Sequence, residues 1–158
     1  MRRKDREVTG ESELREILEE CKVCRVAMQD RDGLYVVPLN FGYFYQDGKL
    51  TLYFHCASQG RKLDAIREND SVCIEMDCDH RLQSGAAACN YTFGFKSIIG
   101  SGAAHPVEDP AEKMEGLRCI MRHMTGKEFN PDDFKTEMVQ AVTVVRIDVM
   151  NFTGKFHQ

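Results

Sequence analysis

Between Val23 and Cys56 three strand-like runs follow one another, and no helical pattern separates them. "VCRVAM" (23–28) passes through the turn "QDRDG" into a long run at 34–45, "LYVVPLNFGYFY". A second turn, carrying Asp47-Gly48, leads on to "KLTLYFHC" (49–56). Parallel neighbours need long crossovers, whereas antiparallel ones need only a tight turn. The runs therefore read as a β-meander, and they commit the chain to a largely antiparallel sheet.

The remaining elements decorate that sheet. Leu14, Ile17, Leu18 and Cys21 fall at helical spacing, which predicts an amphipathic helix over roughly 11–21 with Thr9 or Ser12 near its cap. A short helix is predicted at 59–69, then the strand "SVCIEMDC" (71–78), a connection at 79–90, and a long strand from Tyr91 to about His105. Gly94, Gly100 and Gly102 inside that strand suggest bulges or close backbone approach. Asp109-Pro110-Ala111-Glu112 supplies an N-cap, a first-turn proline and an acid three residues on. Leu117, Met121 and Met124 form the buried stripe of the helix it starts, and Gly126 ends it. Asn130-Pro131 opens a shorter helix with Phe134 and Met138 facing in, and "AVTVVRIDVMNF" is the last strand. Strands in series without βαβ alternation predict a mainly β fold with flanking helices (α+β), its antiparallel sheet closed into a small barrel.

The chain's 158 residues suit one domain, 1–158, and its 42 % hydrophobic and 29 % charged content is that of a globular protein. A net charge of −4 argues against nucleic acid as a partner, so any anion site is local. No apolar run is long enough for a membrane span or a signal core, which predicts a cytoplasmic protein. Seven cysteines at irregular spacings suggest buried thiols and no disulfide framework. Cys21-x-x-Cys24 and Cys78-x-His80 do not complete a zinc set.

Strand parity points to a surface that could carry chemistry. Along 34–45 one face holds Tyr35, Val37, Leu39, Phe41, Tyr43 and Tyr45, which is core-like. The other holds Val36, Pro38, Asn40, Gly42 and Phe44, flat and polar at its centre. Such a face either lies against a planar ring, with backbone groups free to bond the ring edge, or marks an edge strand. Paired as a hairpin with the next strand, it would bring His55 near Pro38 and Asn40. At the joint that follows, Ser58 can cap the 59–69 helix, Gly60 adds no obstruction, and Arg61 and Lys62 add positive charge. Cations at a helix N-terminus oppose the macrodipole unless an anion offsets both. The joint is read as an anion site.

These residues resemble the FMN-binding split-barrel superfamily that includes pyridoxamine 5′-phosphate oxidase, and within it the branch of nitroimidazole-resistance proteins. The matching pieces are "VVPLNFGY" (36–43), "YFHCASQGRKLDAIREN" (53–69), "FKSIIGSGAAHPV" (95–107) with "DPAEKMEGL" after it, and "NFTGK" (151–155). The resemblance implies a split β-barrel of six or more antiparallel strands, assembled as a homodimer with FMN between protomers. By motif, Val37, Pro38, Leu39 and Asn40 would line the isoalloxazine, Ser58, Arg61 and Lys62 would hold the phosphate, and His55 would stand near the flavin as the catalytic candidate. Lys96 and Ser97 match a basic-plus-serine pair at the cofactor and dimer region, while Phe95 replaces a more usual tyrosine. FAD fits the same scheme if its adenylate extends into solvent.

Three functions follow from this resemblance. One is an FMN-dependent oxidoreductase passing electrons from a transiently bound NAD(P)H, or another reductant, to a small acceptor such as a nitroaromatic. The second is a flavin carrier or sensor without turnover. The third is haem handling, with His55, His80, His105 and His123 as candidate ligands.

Overall fold

The computed structural model describes residues 3–158. Among the described residues eight strands alternate unevenly with four α-helices: β1 (Glu7–Val8), α1 (Glu11–Glu20), β2 (Cys24–Asp30), β3 (Gly33–Leu39), β4 (Gly42–Gln46), β5 (Lys49–Ala57), α2 (Arg61–Glu68), β6 (Ser71–Gln83), β7 (Thr92–Pro106), α3 (Pro110–Thr125), α4 (Thr136–Ala141) and β8 (Val142–His157). The strands form one antiparallel sheet in the order β3-β2-β6-β7-β8-β5-β4, with β1 added to β8.

That order dictates the shape. β3 and β4 stand at opposite ends of the sheet, yet only Asn40 and Phe41 join them. A connection of two residues spans at most about 10 Å, so the sheet has to curl until its first and last strands nearly meet. No ladder joins those two edges, so the barrel is split. This corrects two expectations. The run at 34–45 is two strands on two edges, and the sheet does not close.

Parity holds within each piece. Tyr35, Val37 and Leu39 pack against the main core, Phe41 and Tyr45 are buried in it, and Leu34, Val36 and Pro38 face out. The core also takes Val26 and Met28 from β2, Ile74 and Met76 from β6, Ile98 from β7 and Ile147 from β8. Helix α1 adds Leu14, Ile17 and Leu18, while α2 adds Leu63, Ala65 and Ile66. Helix α3 lies on the opposite side of the sheet, where Leu117, Cys119 and Ile120 meet Tyr53 and Val144. Its approach is close, because a Cβ on Gly42 would strike the Cys119–Ile120 backbone and one on Gly116 would meet the Tyr53 ring.

Local chemistry explains the ends of elements. Asp109 accepts from the Glu112 amide at 2.8 Å, and Gly126 closes α3 at φ 69°. Asp47 (φ 51°) and Gly48 (φ 73°) form the tight β4–β5 turn. Elsewhere the expectations shift. Gly10, not Thr9 or Ser12, sits at the N-cap of α1. The buried stripe of α3 is Gly116, Leu117, Cys119, Ile120 and His123, with Met121 and Met124 only half-buried. Phe134 does face the α3 cluster, but Met138 is exposed and Val139 takes its place. The expected connection at 79–90 begins as strand, since β6 continues to Gln83 past a bulge between Cys78 and Arg81. Gly102 answers to strand packing, as a Cβ there would strike the Asp148 carbonyl of β8. Among the described residues no helix is long and apolar enough to cross a membrane.

Candidate functional site

The β5–α2 junction folds as a strand, a three-residue bend and a helix that starts on glycine. Gly60 is the N-cap at φ 131°, a conformation that L side chains rarely adopt, and it makes no side-chain cap. Ser58 is exposed two residues earlier and does not cap the helix, contrary to expectation. The Gly60 carbonyl takes the Leu63 amide at 2.9 Å and the Asp64 amide at 3.2 Å. The amides of Arg61 and Lys62 precede the first intrahelical bond and have no side-chain cap to satisfy them. A Cβ added to Gly60 would meet nothing within 4 Å, so the helix start is open to approach.

The two cations behave differently. Arg61 forks onto Asp30 at the end of β2, with Nε 2.7 Å and Nη2 3.1 Å from its oxygens, and stacks over Tyr35 of β3 at 4.4 Å. The fork holds the Asp30 carboxyl below the usual carboxylate range. The charge conflict read from sequence is thus half resolved by a residue of the same chain. Arg61 still has unused donors, because Nε and one Nη2 hydrogen serve Asp30 and a guanidinium carries five. Lys62 has no carboxylate partner among the described residues, and its Nζ lies 5.7 Å from the centre of the Phe54 ring.

Beside this corner runs β3, an edge strand. The edge-strand and ring-facing readings turn out to be compatible, because an edge strand leaves alternate backbone groups unpaired. Pro38 is exposed opposite Arg25, while Val37 and Leu39 send their side chains towards the core. Asn40 lies just beyond the strand, and its Nδ2 donates to the Lys22 carbonyl at 2.9 Å. Gly42, also expected on the flat face, lies beneath α3, while Val36 and Phe44 are exposed. His55 is exposed on β5, opposite Val144. The β4–β5 ladder ends at Gly42 and Tyr53, two residues short of Asn40 and His55, so His55 is not in register with Pro38.

Lys96 and Ser97 lie elsewhere. Lys96 pairs with Cys78, whereas Ala103, near the α2 end of the sheet, pairs with Ser71. Those positions are seven residues apart on β7, roughly 23 Å at the usual strand rise. The Lys96 Nζ is 2.6 Å from Glu16 and 3.0 Å from Glu20, and Glu16 above all raises its pKa. Lys96 lines an acidic cleft of ≈ 280 Å³ with Glu13, Glu16 and Asp79. Ser97 is buried. Within the chain, Lys96 and Ser97 are not brought together with Arg61 and Lys62.

Contacts that sequence reasoning missed are Asp30 and Tyr35 on Arg61, and Lys22 on Asn40. They join residues 18 to 31 positions apart, and no periodic or local motif marks them. The expectation of buried thiols holds only for Cys21, Cys24 and Cys119; Cys56 and Cys78 are half-buried, and Cys73 and Cys89 are exposed. Cys21 and Cys24 are buried, and burial pushes the Cys24 thiol up to about 12. Among the described residues no group of three His, Cys, Asp or Glu stands close enough to hold a metal ion.

The family profile for pyridoxamine 5′-phosphate oxidase matches residues 10–156. Comparison with curated proteins finds no match. Among solved structures, a proposed 5-nitroimidazole antibiotic resistance protein from Bacteroides thetaiotaomicron superposes with a TM-score of 0.79 at 31 % identity, covering 95 % of this chain and 86 % of that one. The flavocytochrome Anf3 from Azotobacter vinelandii gives 0.79 at 20 % identity, covering 100 % and 72 %. An FAD and haem binding protein from Mycobacterium smegmatis gives 0.79 at 15 % identity, covering 97 % and 74 %. The last two, at such identities, bear on the fold alone.

Proposed function

The chain belongs to the pyridoxamine 5′-phosphate oxidase family, and on that premise we propose that it is an FMN-binding oxidoreductase delivering electrons to a small acceptor such as a nitroaromatic. The observation that carries this reading is the open, uncapped start of α2, with Lys62 lacking a carboxylate partner among the described residues and Arg61 held in a fixed orientation. Unbonded first-turn amides and cations suit a phosphate monoester. The exposed edge of β3, from Val37 to Leu39, and Asn40 after it would flank the ring through backbone groups. FAD remains compatible with the open helix start.

When bound, flavin supplies the exchange of hydride and single electrons. The protein binds the phosphate, orients the ring and supplies protons. His55, exposed at the end of β5, is the residue proposed to deliver a proton to the acceptor. NAD(P)H would bind only transiently.

The same reading calls for a homodimer. Arg61 and Lys62 stand too far along the sheet from Lys96 and Ser97 for one phosphate to reach both in a single protomer. A two-fold partner would bring one protomer's Lys96 region to the other's α2 corner. Helix α3 covers the outer face of β8 only around Val144; further along, the outer surface around Cys73 of β6, Ile99 of β7 and Met150 of β8 is open and shows Ile99 (52 % exposed) and Met150 (67 % exposed), as a buried symmetric interface would need.

The test begins with the purified protein. It is titrated with FMN and followed by flavin fluorescence, then mixed with NADPH and a nitroaromatic under anaerobic conditions. Stoichiometric uptake, bleaching by NADPH and reoxidation by the nitro compound are expected. A bound flavin that never bleaches would mark a carrier or sensor, and no uptake of FMN or FAD would overturn the whole proposal.

A further inference from the structure

Asn40 and Phe41, which join the two edges of the split barrel, and Gly42, which begins β4, are each held by a different contact. The Asn40 side chain donates to the Lys22 carbonyl at 2.9 Å. The Phe41 carbonyl, which no strand partner satisfies, accepts from His123 Nδ1 at 2.7 Å. Gly42 lies directly against the backbone of Cys119 and Ile120. Lys22 is itself fixed, because its Nζ donates to the Glu19 carbonyl at 2.7 Å and to the His123 carbonyl at 2.9 Å. The end of α1, the β3–β4 turn and α3 are thereby tied into one unit.

His123 is at the centre of that unit. It is 5 % exposed, its ring 4.6 Å from Phe41 and edge-on to Tyr43 at 5.1 Å. Facing a carbonyl, Nδ1 carries the proton, and Nε2 is left without a partner. A buried, unpartnered ring nitrogen is unfavourable, so the hydrogen-bonding contribution of this imidazole lies at Nδ1 and the Phe41 carbonyl.

We propose that His123, outside the flavin site, is a positioning residue that sets the geometry of the Leu39–Asn40 wall through the Phe41 carbonyl. The proposal rests on the flavin reading above. It separates two halves of the site: α2 anchors the phosphate, and the α3 brace shapes the wall against the ring.

The test compares His123→Leu, which removes the donor, with His123→Asn, whose side-chain amide places an N–H close to the position of Nδ1. In His123→Leu the Kd values for FMN and riboflavin are expected to rise together, by about tenfold, the equivalent of one hydrogen bond. The visible spectrum of the bound flavin is expected to move towards that of free flavin, and His123→Asn is expected to restore much of both. In the flavin-free protein, the Asn40 side-chain amide should exchange faster with solvent in His123→Leu and return towards the wild-type rate in His123→Asn. If His123→Leu fails to fold, His123→Phe, which keeps an aromatic ring against Phe41 and Tyr43 but lacks the donor, takes its place with the same expected and overturning outcomes. A folded His123→Leu with wild-type affinities, spectrum and Asn40 exchange overturns the proposal. Should the wild-type protein take up no flavin, the flavin reading falls, and Asn40 exchange alone decides whether His123 holds the turn.

Discussion

Replacing Lys62 by Met separates the phosphate anchor from everything else at the α2 corner. Methionine keeps an apolar stem beside Phe54, which is 1 % exposed, so packing changes little while the charge is lost. Two unit charges 4 Å apart attract by about 1 kcal/mol in water and about 4 kcal/mol near a protein surface. Lys62 is half-buried on an open helix start, which places its contribution towards the lower end, about 1.5–2 kcal/mol. That corresponds to roughly 10- to 30-fold weaker FMN binding. Riboflavin lacks the phosphate and should bind both proteins equally. The assay is quenching of flavin fluorescence on titration, at low and at high salt. The FMN difference should shrink as salt rises, because the site is open to solvent. Equal losses for FMN and riboflavin, or no loss for FMN, would refute the placement of the phosphate.

Other outcomes follow from packing and titration. Gly42→Ala pushes a methyl group into the Cys119–Ile120 backbone and should cost about 1–3 kcal/mol, read as a lower urea midpoint; an unchanged midpoint would mean that α3 is not seated on β4. Asp109→Ala removes the cap on the Glu112 amide and should cost about 1 kcal/mol, or roughly 2–4 °C in melting temperature. Burial pushes the His123 imidazole below its ordinary pKa of 6.5, so the unfolded chain takes up its proton first as pH falls. Its contribution is therefore complete above pH 6.5 and is lost below it, with a limiting slope of about 1.4 kcal/mol per pH unit. His123→Gln should flatten that part of the stability profile, and an identical slope in both proteins would refute the assignment.

The sequence carried those features whose causes are local. Asp109 and Gly126 announced both ends of α3 because a cap and a left-handed terminus depend on neighbouring residues. The in–out alternation of Tyr35, Val37 and Leu39 gave the core face of β3 for the same reason. The break at Asn40–Phe41 was hidden, because apolar alternation continues through it and only the sheet order reveals two edges. Ser58 looked like a cap because it has the right side chain, but the chain turns into the helix two residues later, at a positive φ that glycine accommodates. Choosing Met138 over Val139 was a phase error of one residue in a six-residue helix. For the site, sequence supplied Lys62 and the helix start but not Asp30, which meets Arg61 only because β2 ends beside α2.

The Asp30–Arg61 pair changes what the anchor would titrate. A lone arginine at a helix start would be discouraged by the dipole until an anion arrived, whereas this one is already paired and oriented. Asp30 is held below the usual carboxylate range and guanidinium keeps its proton, so the pair stays ionised through neutral pH. The pH dependence of FMN affinity should then follow the phosphate monoester, whose second ionisation lies near pH 6. Above that pH a dianion meets the α2 amides and Lys62; below it a monoanion does, and the attraction weakens. FMN binding is therefore expected to fall by severalfold between about pH 7 and pH 5 relative to riboflavin, which has no such group. A parallel decline for both ligands would place the titrating group at the ring end of the site, and the α2 corner would lose its claim to the phosphate.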